Sequence, residues 1–210
     1  MAQILCFGAS IVQGYADQAG GWTQRLRQVL DQKYTNTYRD LILPKYDVFN
    51  LGISGNTSED LLKRVEQEII PRNLEEIAAI IISIGVNDSI FELNDNSTWS
   101  TPEQYQQNLK QIFAIAKKYT PQVTFLGLTP CDESKTKPMA WSDIQESYSN
   151  ERLKLFNDAA KAVCTELEIK FIELFEIFPK EFIYDGIHPN SQGHQFIAEQ
   201  VLQNLELEQF

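Results

Sequence analysis

Short apolar runs alternate with segments of helical periodicity along the whole of this 210-residue chain. In the longer segments, apolar residues recur three and four positions apart, which is typical of one buried face of a helix. Strands that alternate with helices usually form a parallel sheet with the helices packed on its faces. We therefore expect an α/β fold with a five-stranded parallel sheet, whose strands lie near residues 3–8, 46–51, 77–84, 122–128 and 169–174.

The predicted helices carry apolar stripes, and one of them has a complete start signal. Thr101 suits the N-cap position, Pro102 the first helical position, and Gln104 the second half of a capping box. We interpret the stripes as core-facing surface. They are formed by Trp22, Leu26, Val29 and Leu30; by Tyr105, Leu109, Ile112, Phe113 and Ala116; by Leu153, Phe156, Ala160, Val163 and Leu167; and by Phe196, Ile197, Val201 and Leu205. The alternation as a whole resembles a flavodoxin-like three-layer α/β/α sandwich.

The composition predicts one domain over residues 1–210, because 43% hydrophobic side chains can bury one sizeable core. We expect a cytoplasmic protein. Met1 stands too close to the first predicted strand for a signal peptide to precede that strand. The odd number of cysteines, Cys6, Cys131 and Cys164, is typical of reduced thiols.

The charge balance bears on the partners. With 18 basic and 29 acidic residues, the net charge is -11. Phosphate backbones and anionic membrane surfaces are poor partners for such a chain, and no apolar stretch is long enough to span a bilayer. We expect a small-molecule substrate, neutral or cationic, with no nucleic acid and no membrane span.

Asp185 and His188 lie three residues apart in a short loop near the end of the chain, which contains only two histidines. A carboxylate that holds an imidazole in one tautomer allows the other ring nitrogen to take a proton from a hydroxyl or thiol. The pair resembles the acid and base of a catalytic triad. Ser10 is a candidate nucleophile, because it follows the first predicted strand at the sheet edge where α/β proteins bind ligands.

Two further predicted strands end in polar donors. The second strand is followed by Gly55 and Asn56, and the third by Gly85, Asn87 and Asp88. An oxyanion needs hydrogen-bond donors of this kind close to the nucleophile. Asp88 is more simply interpreted as a brace for its loop, and Asn56 and Thr57 as caps of the next helix.

Ser10, Gly55, Asn87 and His188 stand in the order and contexts of the SGNH hydrolases, also called the GDSL esterase/lipase family, and the likeness runs from Gly8 to the final helix. The resemblance implies a serine esterase with Ser10 as nucleophile, His188 as base and acid, and Asp185 as the orienting group. It also implies an oxyanion hole formed by the Ser10 N–H, the Gly55 N–H and the Asn87 amide. No cofactor is implied, and a single imidazole in the candidate site does not suggest a metal.

The first block departs from the family pattern, because Gly8-Ala9-Ser10 stands where the family has Gly-Asp-Ser. One alternative is therefore a weak or degenerate relic that binds esters or glycans. Another alternative is a flavin- or nucleotide-binding module, since the polar segment from Ser54 to Glu59 resembles a phosphate-binding loop.

Two long polar segments, 92–101 and 130–143, allow two interpretations. They are either solvated loops or walls of the substrate site, with Trp99, Met139 and Trp141 as apolar contacts. Cys131 could line the same site. The absence of a large insert favours an open pocket for short- to medium-chain acyl groups or O-acetyl esters.

Overall fold

The protein was analysed as a computed structural model that describes residues 2–37, 45–94, 96–205 and 207. This part of the chain contains seven strands and six α-helices. The strands are β1 (Ala2–Gly8), β2 (Tyr46–Gly52), β3 (Glu76–Ser83), β4 (Phe91–Glu92), β5 (Val123–Leu126), β6 (Glu146–Ser147) and β7 (Lys170–Ile172). The helices are α1 (Ser10–Gln13), α2 (Gly21–Thr37), α3 (Ser58–Ile69), α4 (Pro102–Ala116), α5 (Asn150–Glu166) and α6 (Ser191–Asn204).

Five strands form the predicted parallel sheet, in the order β2-β1-β3-β5-β7. Successive side chains of β1 point to opposite faces of this sheet: Leu5 and Phe7 belong to one apolar cluster, and Ile4 and Cys6 to the other. Helices α3, α4 and α5 cover the first face, and α2 and α6 cover the second. The fold is therefore the three-layer α/β/α sandwich that the sequence predicts.

Strands β5 and β7 of the main sheet are shorter than the sequence predicts. Beyond β5, the Gly127 N–H still donates to the Ile172 carbonyl, but the Leu128 N–H donates to the Asn157 side chain at 3.0 Å. The apolar run continues past β5 because Leu128 is buried, not because it is paired with a neighbouring strand.

The predicted helix start at Thr101 is confirmed. The Thr101 side chain accepts from the Gln104 N–H, the Gln104 side chain accepts from the Thr101 N–H, and Pro102 is the first helical residue. Helix α3 has an equivalent capping box, in which Thr57 is the N-cap and Asp60 its partner. Thr57 is thus the helix cap that the sequence suggests.

A second, antiparallel sheet of two strands lies outside the main sheet. It pairs Phe91 of β4 with Ser147 of β6, and Glu92 with Glu146. The two strands border the long polar segments 92–101 and 130–143 and hold them side by side. Among the described residues, no helix is both long enough and apolar enough to cross a membrane.

Candidate active site

Ser10, His188 and Asp185 come together at the carboxyl edge of the main sheet, although 178 positions separate the serine from the histidine. Ser10 begins α1 directly after β1, and the loop that leads into α6 carries the other two residues. The Ser10 hydroxyl lies 2.9 Å from His188 Nε2, and His188 Nδ1 lies 2.7 Å from Asp185 Oδ2. Both distances are those of hydrogen bonds that order a serine, an imidazole and a carboxylate for proton transfer.

The Asp185 carboxylate is held by its own loop. Its second oxygen accepts the Ile187 N–H at 3.1 Å and the His188 N–H at 2.9 Å. Burial alone would raise the pKa of Asp185. The hydrogen bonds from the His188 ring and from these two N–H groups outweigh burial and lower the pKa to about 2. Asp185 is therefore ionised at neutral pH, and it favours the tautomer in which the proton is on Nδ1 and Nε2 faces Ser10.

The turn that presents Ser10 has no side-chain cap. Ala9 occupies the N-cap position of α1 without a side-chain hydrogen bond, and Gly14 ends this one-turn helix at a φ of 90°. The Ala9 methyl group packs against the apolar cluster beneath α3 and α4 instead. The departure from the family's Gly-Asp-Ser block thus leaves the turn intact but removes a possible cap.

Gly55 requires glycine because of its backbone conformation. Its φ is 82°, in the left-handed region, and a Cβ built on it would meet no heavy atom within 4 Å. The neighbours on both sides are fixed: the Ser54 N–H and hydroxyl donate to the Gln13 side chain, and Asn56 Oδ1 accepts from Arg64 Nε at 2.8 Å. Gly55 is therefore held in place by contacts to α1 and α3.

The Asn87 amide has a fixed orientation. One of its N–H groups donates to the Asn56 carbonyl at 2.9 Å, and its oxygen accepts from the Tyr148 hydroxyl at 3.4 Å. The other N–H has no acceptor in the part of the chain that the structure describes, and Asn87 lines a cleft together with Ser10 and Gly55. Among the described residues, the backbone N–H groups of Ser10 and Gly55 have no protein acceptor either. Three residues with unpaired N–H donors thus line the same cleft.

Asp88 braces the Asn87 loop, as the sequence suggests. Its carboxylate accepts both the N–H and the hydroxyl of Ser58 at the start of α3, and Asn108 of α4 donates to the same Ser58 hydroxyl at 3.0 Å. Burial raises the pKa of Asp88 to about 6, in spite of the bonds from Ser58. Asp88 therefore ties the end of β3 to α3 and α4.

A cleft of about 310 Å³ opens above Ser10, His188 and Asn87. Trp99 and Trp141 line it, which confirms that both long polar segments contribute to its walls. The expectation for Met139 is wrong: it is 2% exposed and belongs to the main apolar cluster. The cleft is lined by Ser10, Tyr15, Ser54, Gly55, Asn87, Ile90, Trp99, Trp141, Glu146, Tyr148 and His188. A larger depression of about 420 Å³, bordered by Ala2 and Glu76, lies at the opposite edge of the sheet.

Cys131 does not line the cleft. Its side chain is buried in the apolar cluster, where the sulfur accepts from the Thr136 hydroxyl, and burial raises its pKa to about 11. Cys6 and Cys164 are also buried and unpaired, as expected for packing residues. None of the three thiols is placed to react with a ligand in the cleft.

Sequence reasoning missed three residues that support the site. Arg64 donates to the carbonyls of Gly8 and Leu51 at 3.0 Å each, in addition to its bond to Asn56, and so joins the ends of β1 and β2. Tyr15 packs on the His188 ring with the centroids 4.3 Å apart. Tyr148 bonds Asn87 from the far side of the cleft. These contacts connect distant segments, and no local pattern in the chain indicates them.

The second histidine supports the first indirectly. His194 is fully buried in α6, and its Nε2 lies 3.3 Å from the Tyr15 carbonyl. Burial lowers the pKa of His194 to about 4, so that its ring is neutral at pH 7 and Nε2 can donate to that carbonyl. His194 therefore holds the backbone at Tyr15, whose ring packs on His188.

The donor set offers little to a metal or a phosphate. In residues 2–37, 45–94 and 96–205, no three His, Cys, Asp or Glu side chains are grouped as a metal site requires. At the start of α3, where a phosphate-binding loop was one alternative, the Thr57 N–H donates to Asp60 and the Ser58 N–H to Asp88. Two carboxylates at this helix start would repel a phosphate group.

Comparison with known proteins identifies the family. The model of the GDSL-like lipase/acylhydrolase family matches residues 6–196. The chain belongs to this family. Membership in it makes the protein a hydrolase of ester bonds, as the resemblance of the four blocks implied.

Similar proteins agree with this membership. The chain is 28% identical to the GDSL esterase/lipase CPRD49 of Arabidopsis thaliana, over 95% of this chain and 77% of that protein. It is 23% identical to an acetylxylan esterase of Geobacillus stearothermophilus, over 77% and 73% of the two chains. The crystal structure of a lipase/acylhydrolase from Enterococcus faecalis has the same fold, with a TM-score of 0.71 and 23% identity over 100% of both chains.

Proposed function

We propose that this protein is a serine esterase that hydrolyses carboxylic esters with short- to medium-chain acyl groups, including O-acetyl esters, through an acyl-enzyme. The observation that carries the proposal is the row of hydrogen bonds from Ser10 through His188 to Asp185, at 2.9 and 2.7 Å. In a cleft bordered by free N–H donors, such a row is the arrangement that acyl transfer requires.

In the proposed mechanism, Ser10 Oγ attacks the ester carbonyl while His188 Nε2 takes its proton. Asp185 stabilises the imidazolium through Nδ1–H. The negative charge that develops on the carbonyl oxygen is met by the N–H groups of Ser10 and Gly55 and by the Asn87 amide. His188 then protonates the leaving alcohol, and a water molecule, activated by the same imidazole, releases the acid from Ser10.

Cleft size supports the proposed substrates. A volume of about 310 Å³ is at the small end of ligand sites and has room for a short acyl group and part of an alcohol. The apolar surfaces of Ile90 and Trp99 suit an acyl or methyl group. We also propose that residues 1–210 form one hydrolase domain, supported by the family match over 6–196, and that the protein is cytoplasmic, supported by its three free thiols.

The test is hydrolysis of p-nitrophenyl acetate, butyrate and octanoate by the wild type and by Ser10→Ala. We expect turnover of the acetate and butyrate that disappears in the variant, with weaker turnover of the octanoate. A fluorophosphonate should label Ser10, and a mass spectrum of the labelled peptide identifies the modified residue. Turnover or labelling that persists in Ser10→Ala would refute the assignment, whereas ester binding without turnover by the wild type would support a degenerate relic.

Tyr148→Phe is expected to lower kcat by about three- to tenfold with little change in KM, because the Asn87 amide loses the partner that fixes its oxygen. Steady-state kinetics with p-nitrophenyl acetate measures this effect. Asn87→Ala alone should cost about 10²- to 10³-fold. In the Asn87→Ala background, Tyr148→Phe should then have almost no effect. Equal effects in both backgrounds would mean that Tyr148 acts independently of Asn87.

Ala9→Asp is expected to preserve or raise the rate of ester hydrolysis and to stabilise the fold by about 1 kcal/mol, because aspartate caps a helix start that alanine leaves uncapped. For a domain of this size, that gain corresponds to an increase of about 2–4 °C in the unfolding midpoint, which calorimetry measures. Ala9→Asn is the matched variant, since it can cap without adding charge. If both variants lose activity sharply, the turn around Ser10 has adapted to alanine.

A further inference from the structure

Among the described residues that line the cleft, one carries a carboxylate and none is a lysine or arginine. This carboxylate belongs to Glu146 in β6. It lies close enough to the reacting centre for its negative charge to contribute to the raised pKa of Tyr148, whose hydroxyl bonds Asn87; burial is the larger cause of that shift. The charge of Glu146 is therefore close enough to act on an ester bound in the cleft.

Glu146 stands directly opposite Glu92 in the two-stranded sheet. Side chains at opposite positions share one face of a sheet and lie close together, and two like charges in this arrangement repel each other. Burial and the Glu92 carboxylate both raise the pKa of Glu146, and a hydrogen bond from Ser142 lowers it in part; no cation of the described part of the chain contributes to that shift. The pair thus concentrates negative charge at the wall of the cleft.

Aromatic faces flank this pair. The Trp99 indole N–H donates to Glu92 Oε1 at 2.8 Å, which fixes the ring at the cleft wall. Trp99 is 39% exposed and Trp141 is 59% exposed, and both line the same cleft as Glu146. Indole faces attract ammonium groups, most strongly quaternary ones, and a nearby carboxylate adds to that attraction.

We propose that Glu146, together with Glu92, Trp99 and Trp141, forms a subsite for a cationic group of the ester, so that the enzyme favours substrates carrying a quaternary ammonium or amine over uncharged ones of the same shape. A cation bound there would relieve the repulsion between the two carboxylates. Anionic esters would be rejected, since the cleft offers them no basic side chain. This inference rests on the proposed function only in taking the cleft as the place where the ester binds.

The test compares choline with 3,3-dimethyl-1-butanol, its uncharged carbon isostere, as competitive inhibitors of p-nitrophenyl acetate hydrolysis at constant ionic strength. Choline is expected to bind at least about fivefold more tightly, which corresponds to the attraction between unit charges about 4 Å apart in water. The ratio of the two affinities should fall towards one in Glu146→Gln, and in the wild type it should decrease at 1 M salt. Glu76→Gln is the matched control, because it removes the same charge from an exposed side chain at the opposite edge of the sheet. This variant should keep the preference for choline.

A binding measurement separates this inference from the proposed function. Tryptophan fluorescence of Ser10→Ala, titrated with each alcohol, reports occupation of the cleft without any turnover. If the wild type hydrolyses no ester but Ser10→Ala still prefers choline, the esterase proposal fails and the subsite stands. Equal affinity for both alcohols, or a preference that survives in Glu146→Gln, would overturn the subsite. Should Glu146→Gln fold poorly, Glu92→Gln, which can still accept from Trp99, serves the same comparison.

Discussion

Ser10→Ala is expected to lower kcat for p-nitrophenyl acetate by about 10⁶-fold, the scale of loss when a serine protease triad loses its nucleophile. The fold should remain intact, because the Ser10 hydroxyl has no side-chain partner but the His188 ring among the described residues, and alanine fits the first turn of α1. Hydrolysis rates and the unfolding midpoint of the variant check both expectations. Ser134→Ala, on an exposed loop away from the cleft, is the matched control and should retain full activity.

His188→Ala should lose as much activity as Ser10→Ala, because nucleophile and base act as one unit. The double variant should then be no slower than either single variant. A further loss of activity in the double variant would show that one of the two residues contributes independently. Full activity in either single variant would refute the assignment of that residue.

Asp185→Asn is expected to lower kcat by up to about 10⁴-fold, because an amide at this position favours the tautomer in which the Nδ1 of His188 carries no proton. The Nε2 atom would then carry the proton and could not accept one from Ser10. The asparagine oxygen can still accept the N–H groups of Ile187 and His188, so that the loop should keep its shape. Pre-steady-state kinetics should show slower acylation, with a reduced burst of p-nitrophenol.

The matched control for this change is Asp132→Asn, which alters an acid to an amide on the neighbouring surface loop. The Asp132 carboxylate accepts the N–H and hydroxyl of Ser134 and pairs with Lys135 at 3.4 Å, outside the cleft. Its backbone N–H donates to the Gly186 carbonyl at 2.8 Å, a contact that the substitution leaves in place. Surface substitutions of this kind rarely change stability by more than about 0.5 kcal/mol, and activity should be unchanged. If Asp185→Asn were no slower than this control, another group would have to orient His188.

The strands and the polar blocks at their ends could be predicted because their signals are local. Each apolar run of the main sheet is a few residues long, and Ser10, Gly55 and Asn87 follow such runs at once. In a parallel sheet, the carboxyl ends of neighbouring strands meet at one edge, so that the order of the blocks along the chain already implies their proximity. The same reasoning located the helix start at Thr101, where three residues within four positions carry the signal.

The contacts that hold these residues in place could not be predicted, because each joins segments far apart in the chain. Arg64 lies in α3 but bonds the carbonyls that end β1 and β2. Met139 was expected at the cleft only because it lies in a polar segment beside Trp141. The structure buries its side chain in the main apolar cluster, and its N–H pairs with the distant Glu146 carbonyl, a contact that the local sequence does not indicate.

The two-stranded sheet of β4 and β6 has a consequence for how this enzyme can diversify. Its strands border segments that carry one wall indole each, Trp99 and Trp141, and they meet through only two residue pairs. An insertion within either strand would shift this register and displace the adjoining indole. A new specificity would therefore be introduced by exchanging both loops together with the strands that join them, whereas the proposed catalytic blocks on the main sheet can stay unchanged.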